Sequence, residues 1–124
     1  MTGPPPANEH RVQRRFRLTR SEDFERARRS GKSFPHRLVV LVTRKNDEGR
    51  TRVGVAAGRT VGNAVKRNRA KRLLRAALRD LAEAISPGWD IVLIARPPLT
   101  SSNCAEVRGV LVMLLRRADL MPAS

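Results

Sequence analysis

Apolar residues in the middle of the chain recur at intervals of three and four, which is the spacing of one helix face. The members of this set are Leu74, Leu78, Leu81 and Ile85, with Leu73 and Ala77 on the flank. Asn63 precedes them and is a suitable N-cap, because its side chain can accept hydrogen bonds from the free amides of a first helical turn. Gly58 and Gly62 allow a tight turn before it, and Pro87 with Gly88 ends the pattern. The spacing predicts one long amphipathic helix after Asn63.

Three segments rich in Val, Leu and Ile predict β-strands. They are residues 37–43, 51–57 and 90–95. The first two are separated by Asn46, Asp47 and Gly49, which favour a turn, so we expect these strands to pair as a hairpin. The third segment, DIVLIA, is a continuous apolar run, which is typical of a strand covered on both faces. Pro97 and Pro98 follow that strand and end it.

Residues with capping-box spacing predict two further helices. Thr19 and Glu22 begin a short helix that extends to about Ser30, where Gly31 stops it. Asn103 begins a last amphipathic helix. Its apolar positions are Val107, Val110, Leu111, Leu114 and Ala118.

The order of these elements is helix, strand, strand, helix, strand, helix, with a short extra strand near Phe34. This order predicts a small α/β sandwich of two layers. We expect residues 1–13 to be a disordered, proline-rich and basic segment, residues 14–120 to form a single domain, and residues 121–124 to be a tail. A chain of 124 residues can bury a real core without disulfides or metal.

The charge of the chain restricts its partners. The formal net charge is +15 and the isoelectric point is about 11.8, so the protein attracts nucleic acid or an anionic membrane. A membrane is the weaker choice, because no segment approaches the roughly 20 apolar residues of a spanning helix and no apolar segment follows the start. Cys104 is the only cysteine. No internal disulfide is therefore possible, and we expect a reducing, cytoplasmic setting.

The predicted central helix carries an unusual concentration of positive charge. Eight basic residues fall between Arg59 and Arg79, with no acidic residue among them. The helix face opposite the leucines contains Asn68, Arg72, Arg75 and Arg79, with Arg69 at its margin. A merely solvated face normally mixes charge signs, whereas arginine beside arginine repels itself unless a polyanion is present. We therefore interpret this face as a nucleic-acid contact surface.

Residues that would support catalysis by the protein itself are scattered. His10 and His36 have no neighbours at metal-ligand spacing. Asp80 and Glu83 share a helix turn, but balancing the charge of a basic helix explains them better than a metal site does. Cys104 has no base partner and is better explained as a small packing residue. These residues favour a binding role over a self-sufficient nuclease.

The shortage of aromatic residues limits how the chain can recognise nucleic acid. Phe16, which lies among arginines, is the best candidate for stacking on a base. Trp89 follows Pro87 and Gly88 and is better explained as a structural cap. We therefore expect recognition of backbone and shape to dominate over reading of sequence.

The stretch VGNAVKRNRAKRLLRAALR, which begins at Val61, resembles the signature of the bacterial ribonuclease P protein component. The likeness extends to three flanking segments, at residues 17–34, 52–58 and 88–97, and covers about residues 14–120. The resemblance implies a compact α/β sandwich with a left-handed βαβ crossover, where pattern reasoning alone would expect a right-handed one. It also implies a small basic subunit bound to a large catalytic RNA. That holoenzyme removes the 5′ leader from precursor tRNA by Mg²⁺-assisted hydrolysis, with Mg²⁺ used mainly through the RNA.

The resemblance also implies which residues contact each RNA. Those expected to face the catalytic RNA are Arg59, Asn63, Lys66, Arg67, Asn68, Arg69, Lys71, Arg72 and Arg75. Those expected to line a cleft for the single-stranded leader are Arg14, Phe16, Arg17, Phe24, Arg28, Val40 and Val42. Phe24 fits this cleft and the core equally well. We expect no metal site in the protein, no membrane contact and no protein partner.

Two features depart from the family pattern. The turn before the signature, which often carries two lysines in the family, has Arg59 and Thr60 here, and strand positions that are often aromatic are Val and Leu. The competing interpretation of the chain is a stand-alone basic RNA-binding protein of a structural or chaperone-like kind. Composition does not separate the two, whereas the ordered signature favours ribonuclease P.

Overall fold

The computed structural model describes residues 29–47 and 49–121. The strands are β1 (Lys32–Pro35), β2 (Val39–Lys45), β3 (Arg52–Ala56) and β4 (Trp89–Ala95). The two helices are α1 (Ala64–Arg79) and α2 (Cys104–Arg117), and short 3-10 turns lie at Arg59–Val61, Ala82–Ala84 and Pro97–Ser101. The predicted α/β class is therefore confirmed, and so is the predicted order of the elements from the first strand onward. The short strand expected near Phe34 is β1. Of the predicted N-terminal helix, only its end is described: Arg29 and Ser30 are helical and Gly31 follows them.

The strands form one sheet in the order β1-β2-β4-β3. β2 is antiparallel to both β1 and β4, whereas β3 and β4 are parallel neighbours. The predicted hairpin between β2 and β3 is wrong, because β4 lies between them. β4 has buried apolar residues on both faces, as its continuous apolar run predicts, and it occupies a central position in the sheet together with β2. The hairpin partner of β2 is β1.

The connection between β1 and β2 explains why β2 begins two residues later than predicted. The amide of His36 donates to the carbonyl of Val39, and the amide of Leu38 donates to Nδ1 of His36. These bonds hold residues 36–38 as a turn, so that the strand begins at Val39.

The core lies between the sheet and the two helices. Leu41 and Leu93 of the sheet pack with Leu74 of α1 and Leu111 of α2, and all four side chains are fully buried. α1 connects the parallel strands β3 and β4, which makes the βαβ crossover that the resemblance implies. On the other face of the sheet, Val42 and Val92 form a second, smaller apolar cluster.

Helix α1 begins as predicted but ends earlier. Asn63 is its N-cap, and its side chain accepts from the amide of Lys66 at 3.0 Å. The helix ends at Arg79, and the chain then tightens into the 3-10 turn at Ala82–Ala84. Leu81 and Ile85 are nevertheless buried in the core. The spacing of apolar residues in the sequence does not distinguish a continued α-helix from this 3-10 turn, because Leu81 and Ile85 are buried in either geometry.

Candidate nucleic-acid interface

A tight turn directly before α1 positions the start of the candidate interface. The amide of Val61 donates to the carbonyl of Gly58, and the amide of Gly62 donates to the carbonyl of Arg59. Val61 is only 5% exposed and packs in the core, whereas Arg59 is exposed. The turn is therefore anchored by its one buried side chain and presents Arg59 to solvent beside the first turn of α1.

The exposed side of α1 carries a continuous row of side chains that we call the basic stripe. Its members, all exposed, are Val65, Asn68, Arg69, Arg72 and Arg79. Their spacings of three, four and seven residues return to the same side of an α-helix, so they follow one side of α1. Lys66 is also exposed, and Lys71 and Arg75 are half-buried beside the stripe.

Val65 is an apolar member of this stripe that sequence reasoning did not select. Its side chain is 73% exposed, the highest value among the exposed large apolar residues of the described chain. Its position three and four residues before Asn68 and Arg69 was readable from the sequence as part of the same face. An exposed valine within a row of arginines suits contact with the apolar surface of a ribose or base.

The electrostatics of the start of α1 favour an anion. The first turn contains no acidic residue, although the partial positive charge of a helix N-terminus is normally complemented by Asp or Glu. Lys66 and Arg67 add positive charge at that end instead. The positive potential at the start of α1 therefore favours binding of a phosphate group from outside the protein.

Arg67 differs from the other basic residues of the signature. It is half-buried, and its Nη1 donates to the carbonyl of Gly62 at 2.9 Å. Along the helix it is spaced with the buried residues Leu74 and Leu78 and not with Arg72 and Arg79. The structure thus brings most of the predicted RNA-facing residues to one surface but directs Arg67 toward the turn.

The two valines predicted for the leader cleft lie on the face of the sheet opposite α1 and α2. Val40 is paired with Ile94, and Val42 is paired with Val92, in the second apolar cluster. Val40 is half-buried, whereas Val42 is 3% exposed. Any contact of the valines with a ligand at this surface is therefore made mainly through Val40. The other residues predicted for this cleft lie outside the described part of the chain: Arg14, Phe16, Arg17, Phe24 and Arg28.

A buried carboxylate at the start of β4 was not anticipated as a structural centre. Asp90 is 2% exposed and accepts two hydrogen bonds from Arg52, each at 2.9 Å, and one from Asn46 at 2.7 Å. The three residues come from β3, β4 and the end of β2. The sequence contains no signal for this arrangement, because the partners are about forty positions from Asp90.

Asp80, Trp89 and Cys104, which the sequence analysis considered for chemical roles, contact other parts of the protein. Asp80, the C-cap of α1, forms an ion pair with Arg108 of α2. Trp89 and Cys104 are half-buried and pack against the core. Within residues 29–47 and 49–121, no group of three or more His, Cys, Asp or Glu side chains is arranged to hold a metal ion. Over the same ranges, no helix has the length and hydropathy needed to span a bilayer.

Comparison with known proteins identifies relatives along most of the chain. The sequence model of the family Ribonuclease P matches residues 12–119. The ribonuclease P protein component of Oceanobacillus iheyensis is 38% identical over 111 residues, which cover 89% of this chain and 92% of that protein. The corresponding protein of Dehalococcoides mccartyi is 41% identical over 105 residues, covering 85% and 86% respectively.

Solved structures agree with this assignment. The RNase P protein of Staphylococcus aureus superposes with a TM-score of 0.76 at 30% identity, covering 86% of this chain and 98% of that one. The RNase P protein of Thermotoga maritima gives a TM-score of 0.73 at 34% identity, covering 82% and 96%. By sequence and by fold, this chain belongs to the ribonuclease P protein family, whose members are the protein component of a tRNA-processing enzyme that works with an RNA subunit.

Proposed function

We propose that this chain binds the catalytic RNA of ribonuclease P through the basic stripe of α1 and assists that RNA in removing the 5′ leader from precursor tRNA. The observation that carries the proposal is the exposure of Arg69 and Arg72 on a helix side that has no acidic residue between Arg59 and Arg79. Arginine suits this task, because its planar guanidinium can donate two hydrogen bonds to one phosphate group.

The physical role of the protein is to reduce repulsion between two RNAs. The catalytic RNA and precursor tRNA both carry one negative charge per phosphate, so their association is opposed unless cations are present. A chain of net charge +15 supplies cations that are fixed in position. The enzyme with its protein subunit should therefore need less Mg²⁺ than the RNA alone.

The described part of the chain, residues 29–47 and 49–121, contains no cluster of residues suited to hold a metal ion. Two of its described carboxylates form ion pairs: Asp90 binds Arg52, and Asp80 binds Arg108. Because the described residues include no cluster of metal ligands, we assign Mg²⁺ to the RNA. The contribution of the protein is binding and electrostatic.

A second RNA contact is proposed on the sheet face opposite α1. Val40 and Ile94 are half-buried there, and they provide apolar surface for a single-stranded leader. Since neither is aromatic, we expect contacts to leader phosphates and riboses to outweigh base stacking. The arrangement separates the two RNAs, with the catalytic RNA on α1 and the leader on the other face of the sheet.

The proposal is tested by cleavage of a precursor tRNA at low Mg²⁺, using a bacterial catalytic ribonuclease P RNA. The wild-type chain should restore cleavage that the RNA alone does not perform at that Mg²⁺ concentration. The double variant Arg69→Ala, Arg72→Ala should lose most of the rescue and should regain it at high Mg²⁺. The triple variant that adds Arg67→Ala should be at least as impaired.

The matched control removes the same amount of charge from elsewhere. Lys45 and Arg117 are exposed on β2 and α2, and the double variant Lys45→Ala, Arg117→Ala should retain most of the rescue. Equal impairment of the two double variants would mean that total charge, and not the stripe, supports activity. RNA binding without rescue at any Mg²⁺ concentration would favour the stand-alone RNA-binding role, and cleavage by the protein alone would indicate an active site in the protein.

A further inference from the structure

The two arginines of the Arg67–Asn68–Arg69 signature point in different directions. Arg69 is exposed at the margin of the basic stripe. Arg67 is half-buried and lies seven and eleven positions before Leu74 and Leu78, which are both buried in the core. On an α-helix these spacings return to nearly the same side. Arg67 therefore lies on the side of α1 that faces the protein.

The guanidinium of Arg67 is bound to the turn that precedes the helix. Its Nη1 donates to the carbonyl of Gly62 at 2.9 Å, in a contact that is partly buried. The amide of Gly62 in turn donates to the carbonyl of Arg59. Through these two bonds, Arg67 connects the first turn of α1 to the backbone that carries Arg59.

The backbone of Gly62 makes this turn sensitive to substitution. Its φ of +138° lies in a region that is accessible to glycine and unfavourable for other residues. A Cβ at this position would also lie 2.7 Å from Cδ and 3.2 Å from Cβ of Lys66. Any other residue at position 62 would shift the turn, the side chain of Lys66, or both.

We propose that Arg67 is a positioning residue of the RNA-binding surface: it fixes the turn at residues 58–62 against α1, so that Arg59 and the basic stripe present one rigid array of cations to the catalytic RNA. This inference rests on the proposed function of the stripe, and it assigns different roles to the arginines of the signature. Arg69 and Arg72 contact RNA directly, whereas Arg67 acts mainly through Arg59. A fixed array binds more tightly because less conformational freedom is lost on association.

A double-mutant cycle separates this role from direct contact with RNA. Binding of the full chain to a bacterial catalytic ribonuclease P RNA is measured for the wild type, Arg59→Ala, Arg67→Ala and the double variant, after circular dichroism and thermal unfolding have established that each is folded at the binding temperature. If Arg67 positions Arg59, the loss caused by Arg59→Ala should shrink to less than about twofold once Arg67 is absent, because effects of coupled residues do not multiply.

The control cycle pairs Arg59→Ala with Arg72→Ala. Arg72 is exposed in the stripe and not bound to the turn, so the two losses should multiply. Losses that also multiply in the Arg59 and Arg67 cycle, while Arg72→Ala weakens binding, would overturn the positioning role and leave the proposed function intact. No effect of Arg72→Ala on affinity would overturn the stripe itself, and with it both proposals.

An independent variant tests the same turn without removing charge. Gly62→Ala should weaken binding and make the dependence of log K on log salt shallower, by about 0.7 to 0.9 for each phosphate contact that is displaced. Gly109→Ala is the matched control, because Gly109 lies on α2 without a positive φ and a Cβ there has no atom within 4 Å. A folded Gly62→Ala protein with wild-type affinity and salt slope would contradict the inference.

Discussion

Asp90 is a buried carboxylate whose hydrogen bonds connect three parts of the sheet. Its carboxylate is almost completely buried and is neutralised by a two-bond contact with Arg52 and a third bond from Asn46. A buried charge is tolerated only when it is paired and hydrogen-bonded in this way. Because the partners come from neighbouring strands and the end of β2, this one side chain ties together the amino end of β4 and both of its neighbours.

Replacing Asp90 should therefore destabilise the fold. Asp90→Ala removes the buried carboxylate that Arg52 binds, and we expect a loss of about 2–4 kcal/mol in the free energy of unfolding, somewhat below the usual range for a buried pair because Arg52 is partly exposed. Urea denaturation measures this loss. The control is Asp80→Ala, which breaks the exposed pair with Arg108 and should reduce stability by less than about 1 kcal/mol. Equal losses in the two variants would show that burial of Asp90 has no energetic consequence.

Both helices begin with an asparagine N-cap. Substitutions at the two caps can therefore distinguish effects on stability from effects on RNA binding. Asn63 caps α1, with its side chain accepting from the amide of Lys66, and Asn103 caps α2, with its side chain accepting from the amide of Glu106. Only α1 carries the basic stripe. A substitution at each cap therefore has the same local effect on the backbone and a different effect on the proposed interface.

Asn63→Asp should keep the fold and weaken RNA binding. Aspartate is as good an N-cap as asparagine and its charge suits the helix dipole, so thermal stability should be equal or higher. The added negative charge beside Lys66 should nevertheless reduce affinity for the catalytic RNA severalfold. Asn63→Ala should instead lower stability by about 1 kcal/mol.

Asn103→Asp provides the comparison for this prediction. It should preserve both stability and RNA affinity, because α2 lies outside the proposed interface. RNA affinity that falls equally for Asn63→Asp and Asn103→Asp would argue that the start of α1 has no special place in binding. Unfolding temperature and RNA affinity, measured on the same protein preparations, give both quantities.

The molecule as a whole presents its two proposed RNA surfaces on opposite sides of one sheet. α1 and α2 cover one face with the large core, and the second apolar cluster with Val40 and Ile94 lies on the other face. Binding of the catalytic RNA to α1 would therefore not itself cover Val40 and Ile94, the proposed contacts for the leader of a precursor. A leader contact of this kind adds binding energy that does not depend on the body of the tRNA.

The holoenzyme should consequently gain more affinity for precursor tRNA than for mature tRNA when this protein is added. Mature tRNA lacks the leader and experiences only the general reduction of repulsion. The measurement compares the dissociation constants of both tRNAs with and without the protein, at one salt and Mg²⁺ concentration. Equal gains for the two tRNAs would remove the support for a leader-binding face while leaving the role of α1 unaffected.

Features that depend on neighbouring residues were predictable from the sequence. The caps Asn63 and Asn103, the amphipathic helices and the exposed face of α1 follow from local hydrogen bonding and from the period of the helix, which involve residues within a few positions of each other. The ordered signature also identified the family. The helical period also places Arg67, seven residues before Leu74, on the buried side of α1. This spacing is the sequence signal that the Arg67 side chain is directed toward the protein.

Features that depend on distant residues were decided only by the tertiary structure. The sequence by itself determined the elements, the concentration of positive charge on α1 and the family of the protein. Folding decided that β4 lies between β2 and β3, that Asp90 meets Arg52, and that Val42 is buried on the face away from α1. The physical reason is that strand pairing and burial are set by competition among all apolar segments for one core, and no local pattern records which segment occupies the centre.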